Sequence, residues 1–126
     1  MKIRIKGNSV RFRLTKKEVD SVCEKGIFRE KTQFNEAHFV YAVTTSDKHD
    51  NLYASFLNQG IILFVPTDLV RDWDASDQVG FYHTQILDDG QELDLTLEKD
   101  FVCLDDRDED ESDNYPNPRA DENVNS

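Results

Sequence analysis

What this chain lacks narrows its chemistry before any motif is read. Its longest apolar run is the short stretch Gly60–Val65, far below the roughly 20 residues a helix needs to cross a bilayer. The charges at positions 2, 4 and 6 are followed by no apolar segment, so the start does not read as a secretory signal. A cytoplasmic setting without a membrane partner is expected. Cysteine is scarce too: Cys23 and Cys103 stand outside any CxxC or Cys/His cluster. Both are expected to be reduced, and no metal site is expected. Positive charge is short as well. Fifteen Lys and Arg against 26 Asp and Glu give a formal net charge of −11, which argues against nucleic acid as a partner.

Catalytic groupings are also missing. There is no GxSxG, P-loop, GxGxxG or HExxH, motifs that carry a mechanism wherever they fit their structural context. His38, His49 and His83 have no sequence neighbour that reads as a nucleophile or orienting acid. An enzyme is therefore not the leading expectation, and no cofactor is expected. Triads assembled in space stay open, because they leave no trace along a chain.

What is present begins at once. In Met1–Leu14, Ile3 and Ile5 alternate with Lys2, Arg4 and Lys6; Val10, Phe12 and Leu14 then alternate with Arg11 and Arg13. Gly7-Asn8 between the runs predicts a two-residue II′ hairpin turn, with Gly supplying the positive φ. That closure pairs Lys6 with Ser9, Arg4 with Arg11 and Lys2 with Arg13, so five cations share one face. Like charges directly opposite each other are destabilising, so the fold or a partner should supply anions. The alternative is a solvated outer sheet surface whose edge lysines discourage aggregation.

Thr15 and Glu18 read as a capping box, Leu14 and Val19 as a hydrophobic staple, and Gly26 as a C-terminal stop. They predict a helix over 16–25 with Val19, Val22 and Cys23 on its buried stripe. Strands are expected at Ile27–Phe34, Phe39–Thr45 and Leu52–Leu57. From there the pattern repeats. Shifted by 51 positions without a gap, Ser9–Val19 lies over Gly60–Val70, Gly7-Asn8 over Asn58-Gln59, and Phe28 over Val79. A second short helix opens at Pro66-Thr67 with Trp73 as a core anchor, and a hairpin Phe81–Leu87/Glu92–Phe101 turns on Asp88-Asp89-Gly90. The expected fold is α+β. It is a mainly antiparallel meander of about eight strands, a sandwich or partly open barrel, with two short helices and an internal pseudo-twofold repeat.

Two features carry opposite charge to the hairpin. Glu92, Asp94 and Glu98 alternate with Leu93, Leu95 and Leu97, making a counter-charge strand that faces the cations if the sheet curves round. Residues 105–126 hold nine acidic residues against two arginines, net −7, which leaves −4 for residues 1–104. The division expected is an α+β domain over 1–104 and an acidic, largely disordered tail over 105–126. Asp106, Asp108, Asp110 and Ser112 alternate like the start of a calcium loop, but Glu111 and Asn117 stand where Gly and Glu are needed, so no calcium site is expected. Tyr115, Pro116, Asn117 and Pro118 form a rigid extended tetrapeptide, a candidate docking peg.

The opening KIRIKGNSVRFRLTKKEV, Asp77–Phe81, the closing LEKDFVCL and the acidic-YPNP segment together resemble a family of small bacterial proteins built on a domain of unknown function. The resemblance covers all but the last eight residues and implies a bacterial, cytoplasmic protein whose acidic-YPNP segment belongs to the family pattern. It carries no activity to transfer. The leading expectation is a non-enzymatic interaction module, a monomer or weak dimer, whose candidate anion face is Lys2, Arg4, Lys6, Arg11 and Arg13. Its partner would be a protein or a small anionic ligand, with the acidic tail as regulator or occupant. The alternative is an enzyme or sensor of a phosphorylated small molecule, held in a charged sheet cavity with a divalent ion.

Overall fold

A computed structural model describes residues 1–101. The expected boundary at 104/105, Cys103, the acidic run and the Tyr115–Pro118 peg lie outside the described residues. Four hairpins are joined by helical or loop segments. The order is β1 (Lys2–Ile5), β2 (Ser9–Leu14), α1 (Lys16–Lys25), β3 (Ile27–Gln33), β4 (His38–Ser46), β5 (Tyr53–Leu57), β6 (Gly60–Pro66), α2 (Thr67–Val70), a 3₁₀ turn Trp73–Ala75, β7 (Gly80–Ile86) and β8 (Glu92–Lys99). The α+β class, the eight strands and the two short helices match the expectation from sequence.

Local chemistry accounts for these elements. Thr15 Oγ1 accepts the Glu18 amide at 3.4 Å while Glu18 Oε1 accepts the Thr15 amide at 2.8 Å, closing the capping box. Gly26, at φ 81°, ends α1 in the left-handed conformation. The second helix is shorter than the first. Pro66 offers its N-terminus no side-chain hydrogen bond, and Asp72 turns left-handed at φ 67°, so only a 3₁₀ turn follows. Asp88-Asp89-Gly90 forms a three-residue loop closed by Leu87 and Gln91, with positive φ only at Gly90. The hairpin thus turns on the three residues expected, with Gly90 supplying the left-handed position.

The strands build two four-stranded sheets, sheet I in the order β1-β2-β8-β7 and sheet II in the order β3-β4-β6-β5. Every hairpin pairs antiparallel, but the central pairs β2–β8 and β4–β6 are parallel. Each half of the chain thus gives one hairpin to each sheet. The pairing registers repeat between halves: Lys2↔Arg13 in the first hairpin corresponds to Tyr53↔Phe64 in the third, an offset of 51 in both strands. The single bonds at the strand starts repeat as well. Asp94 N donates to Asn8 O at 3.0 Å, and Val40 N to Gln59 O at 3.1 Å. Beyond the helices the offset grows, so Ile27↔Thr44 answers Gly80↔Glu98 and Phe28 corresponds to Phe81. The gap-free placement of Phe28 over Val79 is corrected by two residues, taken up where the second helix breaks.

Phe12, Leu14, Leu95 and Leu97 of sheet I meet Val43, Leu63 and Val65 of sheet II in one core, closed by Val22 of α1 and by Trp73. Each such fully buried side chain contributes about 1.5–3 kcal/mol over its exposed state. Trp73 Nε1 donates to Gln78 O at 2.8 Å, so its polar edge is satisfied. Cys23 lies against α2, donating to Val70 O, and burial pushes its thiol pKa up, which makes it a poor nucleophile.

The two seams between sheet edges are closed differently. Where β7 faces β5, buried Gln85 accepts the Ala54 amide at 2.8 Å and donates to its carbonyl at 3.4 Å. Where β1 faces β3, the Met1 ammonium sits between Glu18 Oε2 at 2.6 Å and Glu30 Oε1 at 2.9 Å. The Glu30 contact is ionic, because its buried Oε1 makes no aligned hydrogen bond.

Two outcomes follow from this packing. A Cβ on Gly60 would lie 2.5 Å from the Val40 carbonyl oxygen, a backbone atom fixed by the parallel ladder. Gly60→Ala should therefore destabilise by about 1–3 kcal/mol in chemical denaturation, whereas an unchanged midpoint would show that β4 and β6 are not so close. Burial lowers the pKa of the Met1 ammonium, but the hydrogen bond to Glu18 and the close negative charges of Glu18 and Glu30 together outweigh it and raise the net value above normal. A raised cationic pKa stabilises the fold below the unfolded value and loses that contribution as pH climbs through the folded one. An N-acetylated chain should melt lower than the free-amine chain at pH 7, and the gap in melting temperature should shrink as pH rises beyond the unfolded value of about 8. A gap that is absent or independent of pH would contradict this.

Candidate functional site

The outer face of sheet I gathers most of the charged residues singled out by sequence. Antiparallel pairing within β1–β2 and parallel pairing of β2 with β8 set them in rows. Lys2, Arg13, Glu98 and Gly80 form one row, Arg4, Arg11, Thr96 and Tyr82 the next, and Lys6, Ser9, Asp94 and Thr84 the third. The hairpin closes as its sequence predicts, with Lys6 and Ser9 exchanging backbone bonds at 3.1 and 3.2 Å.

Contact with β8 sorts the five cations. Arg13 Nε donates to Glu98 Oε1 at 3.2 Å, and Arg11 Nε stands 3.9 Å from the same oxygen. Lys2 Nζ lies 3.1 Å from Asp100 Oδ2, just past the end of β8. Arg4 and Lys6 are exposed and have no carboxylate within ion-pair distance among the described residues. The acidic strand is used unevenly. Glu98 also accepts the Tyr82 hydroxyl at 3.2 Å, while Asp94 accepts Thr84 Oγ1 at 2.8 Å. Glu92, at the far end of β8, contributes only its carbonyl, which accepts Asn8 Nδ2 at 2.6 Å. Desolvation and the Glu98 charge both raise the Tyr82 pKa, so the phenol stays neutral near pH 7.

Arg4, Lys6, Ser9 and Arg11 line a shallow groove of about 220 Å³ at the turn end of the hairpin. It is open to solvent, and Arg4 and Arg11 face outward, away from the core. Among the described residues no three His, Cys, Asp or Glu side chains cluster closely enough to hold a metal ion. Asp100 and Tyr82 join the site beyond the sequence reading. Asp100 carries the two-residue alternation of Glu92, Asp94 and Glu98 one step past the end of β8, a signal that was there to be used, and Tyr82 sits on a strand whose neighbour is fixed by long-range pairing.

The pseudo-twofold equivalents of these cations are uncharged: Tyr53, Ser55, Leu57, Ile62 and Phe64 of sheet II stand where sheet I has Lys2, Arg4, Lys6, Arg11 and Arg13. The charge of the sheet I face is thus a property of one half of the repeat, not a requirement of the fold.

No helix among the described residues is long and apolar enough to cross a membrane. No curated protein and no solved structure matches the chain. A family model does match, over residues 1–119, so it reaches through the acidic run and Tyr115–Pro118, and the chain belongs to the family of unknown function DUF7009.

Proposed function

We propose that this protein is a non-enzymatic interaction module that binds an acidic partner on Arg4, Lys6 and Arg11 of the sheet I face. The uneven neutralisation of the hairpin carries this reading. Carboxylates at the end of β8 cover Lys2 and Arg13, while Arg4 and Lys6 have none among the described residues and Arg11 has one only at 3.9 Å. Arg4 and Arg11 stand directly opposite each other, a like-charge pair that costs up to about 1 kcal/mol and that an anion relieves. Exposed pairs of this kind are individually weak and screened by salt. The binding expected is therefore moderate, fast and salt-sensitive, suited to an extended acidic peptide that meets several cations at once.

The openness of the groove favours such a module over an enzyme or sensor of a phosphorylated small molecule. The setting we assign is the bacterial cytoplasm, as the family resemblance implies, and the acidic tail of the same chain competes for the face.

A fluorescent hexaglutamate peptide tests the proposal by anisotropy, with the full chain and with the full chain carrying Asp106→Asn, Asp108→Asn and Asp110→Asn. Binding is expected at 50 mM salt and should weaken about tenfold or more by 200 mM. Arg4→Ala with Lys6→Ala should abolish it, while Lys2→Ala changes it less than threefold. No binding to either chain, or equal loss from Lys2→Ala, would overturn the assignment; displacement by ATP but not by acidic peptide would move it to the small-molecule reading.

A further inference from the structure

We infer that the outer face of sheet II is a self-association surface, on which a second copy of this chain packs face to face about a twofold axis parallel to the strands. The sheet I face stays outermost in that dimer, so the inference stands independently of the acidic partner proposed for Arg4 and Lys6.

The repeat provides the first argument. On the central strands of sheet I the outward positions include Arg11, Arg13, Asp94 and Glu98. Their equivalents on sheet II are Ile62, Phe64, Val40 and Thr44, with Ala42 and Gly60 completing the two strands. One scaffold thus carries one charged outer face and one whose centre holds no charge at all. Val40, Ile62 and Phe64 are part-exposed at that centre, and Ile27 and Leu57 at its edges are 42% and 62% exposed. Four strands over the five residues from Ile27 to Lys31 make a patch of about 19 by 17 Å. Contiguous apolar patches of roughly 300–600 Å² on a single chain commonly mark interaction sites. A standard interface buries about 800 Å² per partner, so the dimer expected is weak, dissociating between about 1 and 100 µM.

Shape and charge select a second copy and its orientation. The loop between β4 and β5 rises over one half of the face. His49 stacks on Tyr53 with ring centroids 4.3 Å apart and lies 5.6 Å from Phe64, so it forms a ridge over β6 and β5. At the same level the other half, where Ile27 pairs with Thr44, carries no such ridge. A ridge beside bare ground makes the face self-complementary, as an isologous contact requires. Charge on the strands of this face is confined to Arg29 and Lys31 at the β3 edge, while the β5 edge offers Tyr53, Ser55 and Leu57. A twofold axis parallel to the strands, between β4 and β6, lays each β3 over the partner's β5. Arg29 then meets the partner's Ser55, Lys31 meets the partner's Leu57, and His49 descends on the partner's Ile27 and Thr44. An axis across the strands would lay β3 over β3 and oppose four cations, which like-charge repulsion disfavours. With layers about 10 Å apart, the dimer holds its two sheet I faces about 30 Å apart and pointing opposite ways, free to take one acidic partner each.

Sedimentation equilibrium of the full chain tests the inference. From about 1 to about 500 µM the average mass should rise from one chain toward two. Ile62→Arg installs on sheet II the residue that the fold accepts at the equivalent Arg11. It should weaken association about tenfold or more, while hexaglutamate binding equal to that of the native chain reports an intact fold. Leu57→Lys, at an exposed edge position, should also weaken association about tenfold. Leu57→Glu, set against the partner's Lys31, should keep the dimer within about threefold of native strength and make it sensitive to salt. A single chain at every concentration would overturn the dimer and leave the face to an unlike partner. Association unchanged by Ile62→Arg would overturn the surface, and equal loss from Leu57→Lys and Leu57→Glu would overturn the axis.

Discussion

The parallel pairing of β2 with β8 is the constraint on which the rest of the molecule depends. It joins the first hairpin to the last across nearly the whole described chain, and its counterpart β4–β6 does the same for the inner pair. Parallel neighbours cannot be made by a tight turn; between β2 and β8 the chain travels through all of sheet II and returns, while between β4 and β6 it passes only through β5. That detour is why each half contributes to both sheets, and why the core is shared between halves. It also determines which charges meet. With β8 parallel to β2, Glu98 lies beside Arg13, while Asp94, beside Ser9 at the turn end, accepts Thr84 and leaves Arg4 and Lys6 without a carboxylate at ion-pair distance among the described residues.

The repeat then serves as an internal control on what the fold needs and what it merely permits. Buried positions are apolar in both halves: Phe12 and Leu14 correspond to Leu63 and Val65. Outward positions of the first and third hairpins differ: Lys2, Arg4, Lys6, Arg11 and Arg13 answer to Tyr53, Ser55, Leu57, Ile62 and Phe64. Since one scaffold carries both surfaces, the basic face is not a by-product of folding. The seams diverge in the same way, one closed by an amide bridge from Gln85, the other by an ammonium between two glutamates.

Much of the local structure is legible in the sequence. The capping box and Gly26 bound α1 at the expected residues, and strict alternation with Gly7-Asn8 sets the first hairpin in its observed register. The offset of about 51 exposes the repeat because strand and turn spacing survive where identity does not. The parallel central pairs were not legible, since nothing in the alternation of β2 or β8 encodes the direction of a neighbour so distant in sequence. For the same reason the acidic alternation of β8 marks a counter-charge strand without saying that Glu98 serves two arginines and Glu92 none. The second helix is shorter than its pattern implies because Asp72 turns the backbone left-handed, a conformation that no short-range apolar period reveals. Glu30 and Gln85, polar residues at inward positions of their strands, were the available signal for the seams. Their partners, an N-terminal ammonium and a backbone amide of the opposite sheet, are set by tertiary packing alone.

The central claim is that two parallel pairings organise both sheets and thereby expose Arg4 and Lys6. Cross-strand nuclear Overhauser contacts in the isotope-labelled full chain test it most directly. The account predicts parallel ladders that place Phe12 beside Leu97 and Val43 beside Leu63. An antiparallel ladder between β2 and β8, or no contact between them, would contradict it.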